Sequence, residues 1–348
     1  MIFEQIRNNG CLSYLVGCEA RRAGAVIDPA LDQIDRYLSL AAERGIVIRY
    51  AVDTHTHADH FSGVLELSRR LGVPVVSHRQ NVAPYVSLHV DDGELLIVGK
   101  LKLRVLHTPG HTDDSMCLAL PDRIFTGDTL LIGGTGRTDL PTGDPESLHD
   151  SLFEKLLREN DDLMVFPAHD YKGQSSSTIG KEKAENPRLQ KKDRRAFVEV
   201  MRGLDLAMPT HLTEALRINR SGGKSVAQLI ADAARETSFM GMDEVRARID
   251  RADARLVLLD VREKDAFDTA HLPGARHVPR GQLELRIDKE LPDPTVPILA
   301  YCQFGMISTL AAATLKTMGY SHVVALDGGV QAWLDAGYPV EGRSGPAT

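Results

Sequence analysis

The stretch Thr54-His55-Thr56-His57-Ala58-Asp59-His60 constrains this chain more than any other. Three imidazoles and a carboxylate, His55, His57, Asp59 and His60, fall within six positions. Ile48-Arg49-Tyr50-Ala51-Val52 precedes it, a β-branched and aromatic run that reads as a buried strand. Phe61-Ser62-Gly63-Val64-Leu65 follows and reads as the start of a helix running to about 71. The cluster therefore sits on the loop leaving a strand, where side chains converge on one point. Neutral imidazole and carboxylate are the donors that hold zinc or iron at neutral pH. The plain alternative is a polar loop with surface histidines. Helix and turn signals frame the cluster too tightly for that, and further donors follow: His111 in Thr-Pro-Gly-His-Thr, Asp128 in Thr-Gly-Asp-Thr and His169 in Pro-Ala-His-Asp, each just after an apolar run.

The rest of the chain alternates in the same way. Apolar runs at 11–16 and 25–27 suggest a hairpin, and 31–44 carries apolar residues at helical spacing before Gly45. Further strands are expected at 73–77, 95–98, 101–106, 117–120, 124–125 and 163–166, with a helix from Asp144-Pro145 to about Arg158. Alternating units followed by strand runs predict a layered α/β sandwich. The glycine-rich loop Gly133-Gly134-Thr135-Gly136-Arg137 offers backbone and a guanidinium to an anionic substrate, or is a flexible turn. Residues 181–250 read as helix-rich and charged. Ser221-Gly222-Gly223-Lys224-Ser225 lacks the earlier glycine of a phosphate loop, since Ile218 stands there, and reads as a helix-capping turn. Near Ser238 a smaller α/β pattern restarts, which predicts domains at 1–237 and 238–348.

At 348 residues the chain is long enough for two domains, and a net charge of -7 with a pI near 6.0 argues mildly against nucleic acid as a partner. No apolar run reaches bilayer length, and the first residues lack a basic-then-apolar signal. The four cysteines, Cys11, Cys18, Cys117 and Cys302, form no framework, which fits a reducing compartment and makes the cytoplasm the default expectation.

The order His-x-His-x-Asp-His, lone His, Asp, His resembles the metallo-β-lactamase superfamily over about the first two thirds of the chain. That resemblance implies an αββα sandwich. In the second part, Cys302-Gln303-Phe304-Gly305-Met306-Ile307-Ser308 follows a strand and opens a helix, where backbone N–H groups and the helix dipole stabilise a thiolate or persulfide. With Leu259-Asp260-Val261-Arg262-Glu263, His271-Leu272-Pro273-Gly274 and Asp327-Gly328-Gly329, this region resembles the rhodanese sulfurtransferases. The resemblance implies a parallel sheet, makes Cys302 the persulfide-carrying nucleophile, and gives Asp260 and Arg262 a role in organising the loop. Active rhodanese loops often carry Arg or Thr where Ile307 stands here, which argues against thiosulfate as the preferred donor.

Together the halves resemble persulfide dioxygenase–rhodanese fusions, supported by Gly-Arg-Thr-Asp at 136–139, Pro-Ala-His-Asp-Tyr at 167–171 and Asn-Pro-Arg-Leu at 186–189. That resemblance implies oxidation of glutathione persulfide with O₂ and water to glutathione and sulfite, at one Fe(II) held by His55, His111 and Asp128. His57, Asp59, His60 and His169 would then stand beside the ligands. Arg137 and Tyr171 are the candidates for holding glutathione. Small molecules, including thiosulfate or sulfite, are the expected partners; a homo-oligomer stays open. Two alternatives remain. A glyoxalase II-like thioester hydrolase would use all seven donors on two zinc ions. A sulfide sensor or scaffold would bind persulfides without turnover.

Overall fold

The computed structural model describes residues 1–209, 212–251 and 255–343; positions 344–348 of the expected second domain lie outside the described residues. The chain divides into two compact units, Met1–Gly223 and Lys224–Thr348.

In the first unit, one six-stranded sheet is built from β1 (Ile2–Asn8), β2 (Cys11–Cys18), β3 (Ala23–Ile27), β4 (Val47–Val52), β5 (Val75–His78) and β6 (Leu88–Val90), which lie side by side in chain order. Helices α1 (Ile34–Glu43) and α2 (Val64–Leu71) connect β3 to β4 and β4 to β5. The chain continues through β7 (Leu95–Val98), β8 (Leu101–His107), β9 (Met116–Ala119), β10 (Arg123–Gly127), the small hairpin β11 (Leu130–Leu131) and β12 (Gly134–Thr135), then β13 (Met164–Pro167) and β14 (Ser177–Thr178). Strands β7 to β10, β13 and β14 form a second six-stranded sheet in the order β14-β13-β10-β9-β8-β7. Helices α3 (Pro145–Asp150), α4 (Ile179–Glu185), α5 (Arg194–Arg202) and α6 (Leu212–Ser221) complete the unit.

Alternation along the strands builds the layers. Leu12, Tyr14 and Val16 of β2 join Leu103, Val105, Leu118, Phe125 and Phe166 in the core between the sheets. Leu15 faces the other way and packs with Tyr37 of α1 and Val64 and Leu67 of α2. On the outer face of the second sheet, Ile124 and Val165 meet Leu148, Leu152, Leu156 and Phe197. Helix, sheet, sheet, helix is the expected αββα sandwich. The polar clusters sit in the loops just after β4, β8, β10 and β13, so the metal-capable side chains gather at one end of the two sheets.

Two elements differ from expectation. The helix expected from residue 61 starts at Val64, because Phe61–Gly63 is drawn along Pro29–Leu31 by the bonds Leu31 N–H to Phe61 O and Gly63 N–H to Pro29 O. Asp144 caps α3 through Glu146 and Ser147 N–H with Pro145 at the first turn, as expected, but α-helix ends at Asp150. The segment to Arg158 continues as a π-turn and a 3₁₀ turn.

The second unit contains α7 (Val226–Glu236), β15 (Ser238–Met240), α8 (Met242–Asp250), β16 (Val257–Asp260), α9 (Lys264–Thr269), β17 (Arg276–His277), α10 (Leu283–Glu290), β18 (Ile298–Tyr301), α11 (Met306–Thr317), β19 (Val323–Leu326) and α12 (Gly329–Asp335). Its sheet, β15-β19-β18-β16-β17, is parallel throughout and buried on both faces. Ser225 opens α7 with a reciprocal capping box to Gln228, as expected for that turn. Helix α7 packs on α11, so the compact unit begins ahead of the junction expected at 237/238.

Candidate metal centre and the thiol loop

Among the described residues, ligand atoms of His55, His111 and Asp128 lie within 4.8 Å of one another. Asp128 Oδ2 stands 3.9 Å from His55 Nε2 and 3.6 Å from His111 Nε2. The far side of each ligand is held. Thr54 Oγ1 donates to Asp28 Oδ2 (2.9 Å), so it accepts from His55 Nδ1 (3.0 Å). His111 Nδ1 donates to the Arg137 carbonyl (2.8 Å). Asp128 Oδ1 accepts from His169 Nδ1 (2.7 Å). Each imidazole thus keeps its Nε2 lone pair for the shared point, the arrangement that outer hydrogen bonds impose on metal-binding histidines. Burial, reinforced by the neighbouring His57, pushes the His55 pKa well below its ordinary value, so the ring is neutral. Burial opposes the Asp128 charge, but His169, His55 and His111 hold its carboxyl well below the usual range.

The remaining donors separate from this trio. His169 is clasped at both nitrogens, its Nε2 lying 2.7 Å from Asp59 Oδ2. Burial disfavours its charge, yet Asp128 and Asp59 raise its pKa well above the ordinary value. His57 is fully buried, with Nε2 3.3 Å from Asp28 and 3.6 Å from Asp53. His60 Nδ1 is 3.3 Å from Asp59 Oδ1. Cys11, read from sequence only as a free thiol, joins Asp59, His60 and His169 in a second cluster. Leu12 N–H bonds Ala168 O and Cys11 bridges His169, which brings the start of β2 to the end of β13. Burial alone raises a thiol, but His169 and His60 bring Cys11 down to about 7.

The backbone carrying these groups is fastened at alternate residues. Asp28 accepts from Thr54 N–H and Oγ1, and Asp114 accepts from Thr56 N–H and Oγ1. Asp114 also takes the Thr112 hydroxyl, which ties the His55 loop to the His111 loop. Gly127 has φ of 51°, and a Cβ there would lie 2.6 Å from Thr54 Oγ1, so only glycine fits beside Asp128.

A pocket of about 450 Å³ opens on His111 and Asp128 of the trio and is lined further by Arg137, His169, Tyr171 and Arg188. Arg137 lines it, but its guanidinium is occupied: Nε and Nη2 bond Asp139 and Nη1 bonds Ala207 O. Tyr171 is 75% exposed and its ring stacks on His169. Arg188, which the sequence offers only as part of Asn-Pro-Arg-Leu and with no binding role, also lines the pocket. Its Nη1 donates to Thr135 O and Oγ1, no carboxylate among the described residues pairs with it, and burial lowers its pKa.

In the second unit Cys302 follows β18 and is 2% exposed; its Sγ accepts from Ser308 N–H at 3.3 Å. The bonds Val330 N–H to Cys302 O and Gln331 N–H to Gln303 O anchor the loop. Arg262 pairs with buried Asp260 and reaches Gln303 Oε1, so this pair organises the loop as expected. Phe304, Met306 and Ile307 stand exposed around the thiol.

Residues 6–170 match the metallo-beta-lactamase superfamily and residues 241–336 the rhodanese-like domain. The human mitochondrial persulfide dioxygenase ETHE1 is 37% identical over 61% of this chain and 84% of its own. The crystal structure of ETHE1 from Myxococcus xanthus shares 41% identity, covering 64% of this chain and all of that one, with a TM-score of 0.63. Hydroxyacylglutathione hydrolase GloC of Haemophilus influenzae is 32% identical over 48% of this chain and 88% of its own. With a dioxygenase-like sandwich in its first unit and a rhodanese-like sheet in its second, the chain belongs to the persulfide dioxygenase family of the metallo-beta-lactamase superfamily, in a form fused to a rhodanese domain.

Proposed function

We propose that the first domain oxidises glutathione persulfide with O₂ and water to glutathione and sulfite at a single Fe(II), and that Cys302 transfers sulfane sulfur in the second. What supports this choice over a thioester hydrolase is the likeness to persulfide dioxygenase ETHE1 over 84% of that protein, with a rhodanese-like domain following in the same chain. The trio His55, His111 and Asp128 is held from outside by Thr54, the Arg137 carbonyl and His169, whereas a hydrolase would rest a second ion on the group formed by Cys11, Asp59, His60 and His169. Two imidazoles and one carboxylate suit a non-haem iron with open positions. Iron there supplies the electron transfer to oxygen that zinc cannot.

The side chains prepare the rest. His55 and His111 are held neutral and aimed by Thr54 O–H and Arg137 C=O. The pocket beside them accepts an extended thiol compound. Arg188, whose remaining donors meet no carboxylate among the described residues, grips a substrate carboxylate, and Tyr171 also lines the pocket. Arg137 acts by orienting His111 rather than by touching substrate. At Cys302 the thiolate attacks the outer sulfur of R–S–S⁻. The S–S bond to R breaks, an S–S bond to Cys302 forms, and R–S⁻ leaves. The exposed apolar rim, with Ile307 in place of a cation, favours thiol persulfides over thiosulfate as donors.

Oxygen uptake with glutathione persulfide, measured beside hydrolysis of S-lactoylglutathione, tests the reading. Oxygen consumption without thioester cleavage supports it; thioester cleavage with no oxygen consumed overturns it.

A further inference from the structure

Helix α6 carries a buried amide with no counterpart in the motif. Asn219, 4% exposed, donates from Nδ2 to the carbonyls of His57 (2.9 Å) and His60 (2.8 Å), and its Oδ1 accepts from Ser62 N–H (3.0 Å). Two donors and one acceptor on one planar group fit the two carbonyls and one N–H that this turn leaves over. Neither hydroxyl nor carboxylate supplies that set. The helix end is fixed in turn, since Tyr85 O–H bonds the Asn219 carbonyl and Gly222 packs on Tyr85 and Leu65.

We propose that Asn219 is a positioning residue for the metal-bearing turn, closing its far end as Asp28 and Asp114 close its near end. Thr54 and Thr56 are fastened by those carboxylates, which sets the backbone either side of His55. Without Asn219 the segment from His57 to Ser62 has three main-chain groups to satisfy elsewhere. Its drift moves Asp59 away from His169, and through His169 it loosens Asp128. Asn219 touches neither metal nor substrate and acts through the loop. The inference rests on the trio being the metal site.

The test measures anaerobic Fe(II) affinity by chelator competition, and hydrogen exchange of the metal-free chain, for wild type, Asn219→Ala, the isosteric Asn219→Asp and Tyr85→Phe. Asn219→Ala and Asn219→Asp should weaken iron binding about 10- to 100-fold, as loss of outer support around a ligand does. The 57–62 segment should exchange faster in both. Tyr85→Phe removes a bond on the Asn219 main chain and should lower Tm while leaving iron affinity within about two-fold. Unchanged affinity and exchange in both Asn219 variants, with only Tm reduced, overturns the proposal. If wild type itself binds no iron, the metal assignment has failed, and exchange in the 57–62 segment alone then decides the role of Asn219.

Discussion

Replacing Thr54 by Val tests how the centre is preorganised. The change preserves shape and deletes one hydroxyl, which accepts from His55 Nδ1 at 3.0 Å and donates to Asp28 Oδ2 at 2.9 Å. Thr54 is fully buried and His55 is 1% exposed, so water cannot replace the lost partner. A buried N–H and a buried carboxylate oxygen are left alone, each costing about 1–3 kcal/mol. The metal-free variant should therefore lose about 2–6 kcal/mol of unfolding free energy. Its ring is no longer fixed in the tautomer that presents Nε2, which should weaken iron binding about 10- to 100-fold. Urea unfolding and anaerobic chelator competition measure the two effects separately. A variant that is destabilised but binds iron within about two-fold of wild type refutes the tautomer argument. Unchanged stability refutes the hydrogen-bond assignment as well.

Other outcomes follow from the same geometry. Burial, with stacked His107 adding to it, lowers the His78 pKa to about 4. The folded value lies below the unfolded one of about 6.5, so the unfolded chain binds the extra proton and stability falls as pH drops through that interval. Solvent screening close to the surface trims the effect, so the loss should be about 1 kcal/mol by pH 5. His78→Phe should flatten that limb in metal-free urea melts, and an unchanged pH slope counts against it. Arg188→Ala should raise KM for glutathione persulfide about tenfold with little change in kcat, and Arg188→Lys should recover part of it. Equal KM values in all three proteins remove Arg188 from substrate binding. Cys302→Ser should abolish sulfur transfer and leave oxygen uptake intact, whereas Ile307→Arg should increase thiosulfate use about tenfold by adding a guanidinium to the loop. Transfer surviving in Cys302→Ser would favour a sensor or scaffold role for the second domain.

The strands that carry the donors were legible because each buried run announces itself by apolar side chains and ends at a conspicuous polar motif. Thr-His-Thr-His-Ala-Asp-His marked where the candidate donors gather, and Cys302 where the candidate nucleophile stands. The division of labour among seven donors was not legible. It depends on hydrogen bonds from residues far along the chain: Asp28 on Thr54, Asp114 on Thr56, and Arg137 C=O on His111. Spacing carries no record of those partners. Cys11 escaped notice because only the pairing of β2 with the end of β13 brings it to His169. Arg137 and Arg188 look alike in sequence, and only the folded chain separates them: Asp139 and the Ala207 carbonyl hold the Arg137 guanidinium, whereas Arg188 bonds Thr135. Strand β1 was missed because Ile2-Phe3-Glu4-Gln5-Ile6 alternates poorly, although seven residue pairs tie it to β2.

The most direct measurement is the metal content of protein purified without added metal, read together with oxygen consumption when a persulfide is supplied. One iron per chain, with oxygen consumed as sulfite forms, is the expected result. Two zinc ions per chain and an unchanged oxygen level contradict it.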